Sequence, residues 1–205
     1  MRSTELSTTF QLDKVSGLAR ATSITTPHGP VLTPAFMPVA TQASVKAVSS
    51  DEAGNCGSQI LLSNAYHLAL RPGAEIISQL GGLHKFMGWA GPLLTDSGGF
   101  QVYSLGRIRK INEEGVEFSS HIDGSKMFIS PELAMKNQEI LGSDIAMAFD
   151  QCIGYGANLK DTRQAMERTH RWAERCLAAR GCSDQSIFGI VQGGHSRSLR
   201  KKSVA

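Results

Sequence analysis

The sequence predicts an α/β fold, read as an incomplete (β/α)8 TIM barrel with an inserted β-hairpin, and three observations predict it. Five short apolar runs alternate with helical patterns. Each run ends in polar or small residues. No G-x-G-x-x-G signature of a dinucleotide-binding sheet stands at any of the five junctions. Strands alternating with helices imply a parallel sheet, and polar residues at successive strand ends suit the mouth of a barrel. Five strands do not close an eight-stranded barrel, which usually takes about 250 residues. The 205 residues therefore read as a single domain, the N-terminal part of a barrel.

In chain order, residues 1–30 are expected to hold an N-terminal hairpin turning at Pro27-His28-Gly29-Pro30. The first run, Pro34-Ala-Phe-Met-Pro-Val39, ends at Thr41-Gln42, and Ser49-Ser-Asp-Glu52 reads as a capping box opening a short helix. The second run is Gln59-Ile-Leu-Leu62, ending at Ser63-Asn64 and followed by the breaker Arg71-Pro72-Gly73. The third, Pro92-Leu-Leu94, ends at Thr95-Asp96-Ser97-Gly98-Gly99. Residues 115–129 alternate with period two around Asp123-Gly124, the strongest short hairpin signal in the chain, and are taken as the insertion. Ser130-Pro131 caps a helix over 131–141 closed by Gly142. The fourth run, Asp144-Ile-Ala-Met-Ala-Phe149, ends at Asp150. Ala165, Thr169, Trp172, Cys176 and Leu177 then mark one face of a helix over 161–179. The fifth, Ile187-Phe-Gly-Ile-Val191, ends at Gln192-Gly193-Gly194.

Composition excludes several classes. A hydrophobic fraction of 41% with 19% charged residues suits a globular core, so neither disorder nor a disulfide scaffold is needed. The apolar runs are too short to cross a bilayer, and the polar N-terminus carrying Glu5 lacks the apolar stretch of a secretory signal, so no membrane role and a cytoplasmic location are expected. Cys56, Cys152, Cys176 and Cys182 form no CxxC pair and read as free thiols. The six histidines show no metal-ligand spacing, so no metal site is read from the residues. A net charge of +3 is too small to mark a nucleic-acid binder by itself. Arg197, Arg200, Lys201 and Lys202 form a basic tail that suits either a phosphate contact or a solvated helix face.

The candidate functional residues stand at the ends of the apolar runs. Asp96 followed by Ser97, Gly98 and Gly99 offers a carboxylate with backbone N–H groups able to approach a ligand, or else an Asx turn. Asp150, after an apolar run, needs a partner. Adjacent N–H donors like those on the Watson–Crick edge of guanine would serve, as would an arginine or a helix N-terminus. Gln192 can donate and accept, which suits a carbonyl beside an N–H, or it stabilises a turn. Phe100 and Tyr103 can stack on a flat base or belong to the core.

Thr33-Pro-Ala-Phe-Met-Pro-Val-Ala-Thr-Gln42, Ser63-Asn-Ala-Tyr-His67 through Gly73, Leu94-Thr-Asp-Ser-Gly-Gly-Phe-Gln101, Leu141-Gly-Ser-Asp144 and Phe188-Gly-Ile-Val-Gln-Gly-Gly194 together resemble the tRNA-guanine transglycosylase family over residues 25–205, and Phe149-Asp-Gln-Cys152 resembles its bacterial form. The resemblance implies a TIM barrel that exchanges guanine at the tRNA wobble position for a 7-deazaguanine base, preQ1 or queuine, in queuosine biosynthesis, the bacterial form favouring preQ1. It implies tRNA, guanine and the incoming base as partners, and a homodimer in the full-length form. Asp96 takes the role of proton acceptor, Asp150 receives the N–H donors of the base, Gln192 holds its carbonyl side and Ser97 to Phe100 line the pocket. Phe100 stands where many bacterial members carry Tyr, and Cys152 lines the pocket without being a nucleophile. The nucleophilic Asp of the family and its Zn2+ ligands, a Cys-x-Cys-x-x-Cys plus His arrangement, belong to the C-terminal half, and the chain stops at Ala205 before either. The chain is therefore expected to be inactive alone and, with its last strand an open edge, poorly folded. Two rival readings stand beside this one: a non-catalytic accessory tRNA-binding subunit, and a barrel enzyme acting on a free purine or pterin.

Overall fold

The structure is a computed structural model that describes residues 8–105, 107–181 and 184–205, the side chains of 107–109 aside. Residues 1–7 of the expected N-terminal hairpin and Cys182 lie outside the described residues. Cys56, Cys152 and Cys176 are free thiols. The chain divides into two compact units, Met1–Asp96 with Asn137–Ala146 and Gly181–Ile187, and Ser97–Lys136 with Met147–Arg180 and Phe188–Ala205. Each is described by itself.

The first unit begins with an antiparallel sheet of β1 (Thr9–Ser16), β2 (Ala19–Thr26) and β3 (Gly29–Thr33), with Pro27 and His28 at the turn between β2 and β3. Its second sheet is built on β4 (Leu61–Ser63), β5 (Leu93–Thr95) and β9 (Ile145–Met147), which pair in parallel, with β10 (Ser186–Phe188) beside β9. The chain is thus α/β with a parallel sheet, as its alternating runs predict. The first run is not a strand. Only Val39 bridges to Leu62, because Pro34 and Pro38 have no N–H to give to a ladder. The fifth run ends as a strand at Phe188, where Gly189 follows.

Leu61, Leu68, Ile77, Leu83, Leu93 and Leu141 are fully buried and form the apolar centre of this unit, each contributing about 2 kcal/mol by leaving water. The helices around them are short: α1 (Ser50–Asn55), α2 (Ala65–Leu70), α3 (Ala74–Gln79) and α4 (Leu83–Met87). The capping box is present, with Ser49 Oγ accepting from Glu52 N at 3.2 Å and Glu52 Oε2 from Ser49 N at 2.8 Å. A polar strut crosses the core beneath β5. Thr95 Oγ1 donates to Gln138 Oε1 at 3.0 Å, and Gln185 Nε2 donates to Gln138 O and Ser143 O, so these buried groups are satisfied.

The second unit opens with α5 (Gly99–Ser104), then an antiparallel sheet of β6 (Arg107–Ile111), β7 (Val116–Ser119) and β8 (Lys126–Ile129). Val116 pairs with Ile129 and Phe118 with Met127; Val116 and Phe118 are buried while Glu117 faces solvent, which is the period-two pattern of residues 115–129 made physical. α6 (Pro131–Leu141) has the expected bounds, and Ser130 Oγ accepts from Leu133 N at 3.2 Å. α7 (Leu159–Ala178) starts two residues ahead of expectation because Asn158, whose side chain accepts from Asp161 N, is its cap. Its buried stripe carries Trp172, stacked on Phe149 with ring centroids 5.0 Å apart. Glu113 gathers the outer side of α7, accepting from Arg168 Nε and Arg171 Nε on its carboxylate and from Trp172 Nε1 on its carbonyl. α8 (Arg197–Val204), capped by Ser196, closes the unit.

Candidate functional site

In the second unit the site is built around Asp150. Strand β9 ends three residues before it, and the backbone on either side is pinned to α7, by Phe149 N donating to Cys176 Sγ at 3.4 Å and Gln151 N to Thr169 Oγ1 at 3.1 Å. Arg168 Nη1 also donates to Gln151 Oε1 at 2.6 Å. The carboxylate therefore projects from a fixed backbone. Only 7% of Asp150 is exposed, and three uncharged groups reach its carboxylate: Ser97 Oγ at 3.2 Å on Oδ1, and Gln192 Nε2 at 2.8 Å and Cys152 Sγ at 3.6 Å on Oδ2. Burial pushes the Asp150 carboxyl above its ordinary range, and the donors from Ser97, Cys152 and Gln192 only partly oppose it.

The glycines beside Ser97 are there for room. Gly98 takes a left-handed φ of 78° at the start of α5, and a Cβ on Gly99 would stand 2.5 Å from Asp150 Oδ1 and 2.7 Å from its carbonyl oxygen. Gly99 N donates back to Ser97 Oγ at 3.2 Å, so the hydroxyl that serves Asp150 is itself held. Phe100 is 60% exposed and Tyr103 40% exposed, which removes the core reading for both rings; their centroids are 6.4 Å apart. The Cys152 thiol is pushed up to about 12, by burial first and then by the neighbouring Asp150, so it stays protonated and is no nucleophile at neutral pH.

Gln192 is positioned from behind. Its N–H donates to Ser203 Oγ on α8 at 2.9 Å, and the same hydroxyl shares a 2.9 Å hydrogen bond with His170 Nε2 on α7. Sequence reasoning missed both supports. They lie 11 and 33 residues from their partners, and no local pattern marks them.

Asp96 belongs to the first unit. Its Oδ1 accepts from Ala65 N at 2.9 Å at the start of α2, and its Oδ2 accepts from Asn64 Nδ2, so the residue following β5 is held by the residue following β4. Thus Ser97, Gly99, Asp150 and Gln192 come together in the second unit, while the partners of Asp96 named here are those of the first.

The first unit also gathers two histidines that sequence spacing left apart. Asp144 Oδ1 accepts from His28 Nδ1 at 2.8 Å and from His28 N at 3.2 Å; its Oδ2 accepts from Leu93 N at 2.8 Å. His84 Nε2 lies 3.3 Å from Oδ2, near in distance but misaligned for a hydrogen bond. These are donor types that suit zinc, yet the arrangement does not fit it. The His28 and His84 rings stack with centroids 3.6 Å apart and planes 19° from parallel, so their in-plane lone pairs run side by side instead of meeting at a point about 2 Å away. The carboxylate oxygens are moreover already occupied by N–H donors. Burial alone would raise the Asp144 carboxyl; the nitrogens of His84 and His28 and the Leu93 N–H outweigh it and hold the group below its ordinary range.

The sequence model of the queuine tRNA-ribosyltransferase family matches residues 13–205. The chain is 54% identical over 197 residues to the queuine tRNA-ribosyltransferase of Moorella thermoacetica, covering 96% of this chain and 52% of that protein. It is 55% identical to that of Herpetosiphon aurantiacus, again over 96% of this chain and 50% of the relative, and 58% identical to that of Pelotomaculum thermopropionicum over 91% and 50%. The chain spans about half the length of the curated relatives it matches. Among the described residues no helix is long and apolar enough to cross a membrane.

Proposed function

Because the chain belongs to the queuine tRNA-ribosyltransferase family, we propose that it supplies the base-reading part of a tRNA-guanine transglycosylase, which exchanges guanine at the wobble position of tRNA for a 7-deazaguanine base, preQ1 before queuine. The observation that carries this reading is the buried Asp150 carboxylate, met by Ser97, Cys152 and Gln192, none of which brings a charge. A carboxylate desolvated in this way gains most from a ligand presenting two adjacent N–H groups. The N1–H and exocyclic amine of guanine, or of its 7-deaza analogue, are such a pair. Gln192 then turns its amide N–H from Asp150 toward the purine carbonyl, and the exposed Phe100 ring stacks on the base. Adenine, which offers an acceptor where guanine offers a donor, leaves Asp150 unmatched and is rejected.

Base exchange at a glycosidic carbon passes through oxocarbenium-like charge and needs a carboxylate to hold the ribose while one base leaves and another enters. On this reading that nucleophile and the zinc site come from the half of the relatives that the chain does not span, and the 205 residues bind base without turning it over. Asp96, held by Asn64 and the Ala65 N–H, is the proton acceptor. The target purine must leave its stack before its edge can be read, so the RNA is engaged as an unstacked loop.

Calorimetric titration of the 205-residue chain tests the base-reading step. Guanine is expected to bind and adenine not. Asp150→Asn, which replaces an acceptor by a donor, is expected to weaken guanine at least tenfold, the scale of a hydrogen bond to a charged group. Equal binding of the two purines, or indifference to the substitution, would falsify the reading.

A further inference from the structure

Residues 148–154, which carry Asp150, form neither strand nor helix, so no ladder fixes the direction in which its carboxylate faces. Side chains of α7 do so instead. The Phe149 ring is stacked on Trp172, and Gln151 is gripped twice by consecutive residues of the helix. Its backbone N–H donates to Thr169 Oγ1 at 3.1 Å, and its side-chain carbonyl accepts from Arg168 Nη1 at 2.6 Å. The Thr169 grip is short and buried. Arg168 reaches on a long side chain that keeps 21% of its surface exposed, so it holds a single geometry only if something else anchors it.

That anchor is Glu113, in the turn between β6 and β7. Arg168 Nε donates to Glu113 Oε1 at 3.0 Å, and Arg171 donates to both oxygens, Nε to Oε2 and Nη2 to Oε1, each at 2.9 Å. A bidentate arginine fixes the plane of a carboxylate. Arg168 and Arg171 stand three residues apart, neighbours on one side of α7, and without the acid between them their charges repel. Arg171 foremost, with Arg168 and against the cost of burial, holds Glu113 down to about 2, so the acid is ionised at neutral pH. The turn is itself closed, since Asn112 N donates to Gly115 O and Asn112 Oδ1 accepts from Gly115 N, both at 3.0 Å. The Glu113 carbonyl accepts from Trp172 Nε1 at 2.9 Å and from Arg175 Nη1. One turn thus reaches both neighbours of Asp150, Gln151 through Arg168 and Phe149 through Trp172.

We propose that Arg168 is a positioning residue for base reading: held by Glu113, it fixes Gln151 and thereby the angle at which Asp150 presents its two oxygens to a base. Arg168 touches no base itself. The inference rests on the base-reading function above and adds to it that a turn distant in sequence sets the selectivity. The N1–H and exocyclic amine of guanine engage the two carboxylate oxygens together, so alignment counts most for a ligand carrying that pair. Hypoxanthine has the N1–H and the carbonyl of guanine but lacks the amine. It needs one oxygen only and tolerates a turned carboxylate.

The test titrates the whole 205-residue chain with guanine and with hypoxanthine by calorimetry and reads the ratio of the two affinities. Wild type is expected to favour guanine about tenfold or more, the scale of one hydrogen bond to a charged group. Arg168→Met, which keeps the stem and loses the donors, is expected to weaken guanine about tenfold and hypoxanthine only about threefold, so the ratio falls. Gln151→Ala should lower the ratio as far from the other side, and the double variant no further than either single one, because both break the same connection. Glu113→Gln leaves the arginines an uncharged acceptor and should lower the ratio less. Damage that only reduced the folded fraction would weaken both bases equally and leave the ratio alone. An unchanged ratio in Arg168→Met, or losses that add in the double variant, overturns the proposal. Should Arg168→Met fail to fold, Gln151→Ala and Glu113→Gln carry the same readout, and a ratio unchanged in both overturns it. Guanine binding lost in Asp150→Asn, with the ratio intact in Arg168→Met, leaves the base-reading site standing and removes only the positioning role. Guanine binding indifferent to Asp150→Asn, or a wild type that binds guanine and hypoxanthine alike, removes both.

Discussion

Asp144 and Asp150 stand at the two ends of the same apolar run, both buried, and their carboxyls are driven in opposite directions. Asp144 meets two backbone N–H groups and two imidazoles, and is held below its ordinary range. Asp150 meets a hydroxyl, an amide and a thiol, and burial pushes it up. Burial is thus common to both, and the partners decide the outcome. A carboxylate saturated by fixed N–H donors is a fastener. One met only by uncharged side chains, beside a glycine that sets no Cβ against it, still has something to gain from a ligand.

The largest effect should come from breaking the fastener. Asp144→Asn places an NH2 group where N–H donors already converge and removes the acceptor that ties the His28 turn and β5 together. A loss of about 3 kcal/mol in urea unfolding is expected, the scale of a buried donor set left unpaired. Asp150→Asn should behave in the contrary way. It removes a charge that the fold disfavours, so stability at neutral pH should hold or rise while guanine affinity falls. A variant at Asp150 as destabilised as that at Asp144 would show that both carboxylates are structural and erase the contrast.

The acid limb of stability sharpens the comparison, because the two groups contribute with opposite sign. The pKa of Asp144 is lowered by folding, so its stabilisation is fully present above the ordinary aspartate value near 3.9 and drains away as pH falls through the lowered folded value. The pKa of Asp150 is raised, so its cost is absent in strong acid, grows as pH climbs from the ordinary value through the raised one, and is constant above. Melting temperatures measured from about pH 3 to pH 8 should therefore show Asp144→Asn converging on wild type at the acid end from below, and Asp150→Asn converging there from level or above. Parallel displacement of either curve across the whole range would mean that the titration of that group does not contribute.

What is legible in the sequence divides along the same line. The capping box at Ser49, the alternation of residues 115–129 and the Ser130-Pro131 helix start are local signals, and local structure follows them. The first apolar run misleads because hydrophobicity says nothing of N–H donors, which Pro34 and Pro38 lack. The helices α2 to α4 are too short for periodicity and exist because Leu68, Ile77 and Leu83 enter one core. At the site, Asp150, Gln192 and Ser97 are legible as polar types at the ends of apolar runs. The Asp144 fastener is not, since His28 lies 116 residues away and spacing rules for metal or charge clusters see only neighbours.

The smallest expected effect tests whether the open carboxylate depends on its distant supports. Gln192 can give its side-chain amide to Asp150 or to a purine only while its own backbone is fixed, and Ser203 Oγ supplies that fixing through the Gln192 N–H, with His170 behind it. Ser203→Ala leaves one half-buried N–H without its partner, a change of about 1 kcal/mol, so guanine affinity should fall only a few-fold. Ser203→Thr keeps the hydroxyl and should recover most of it. The split between the two variants matters more than the size of either. A helix that merely packs would lose stability equally with both substitutions and leave affinity alone, whereas a helix that aims Gln192 moves affinity with the hydroxyl. If Ser203→Ala bound guanine like wild type while melting lower, α8 would belong with Asp144 as a fastener, and the open site would reduce to Asp150, Ser97 and Gly99.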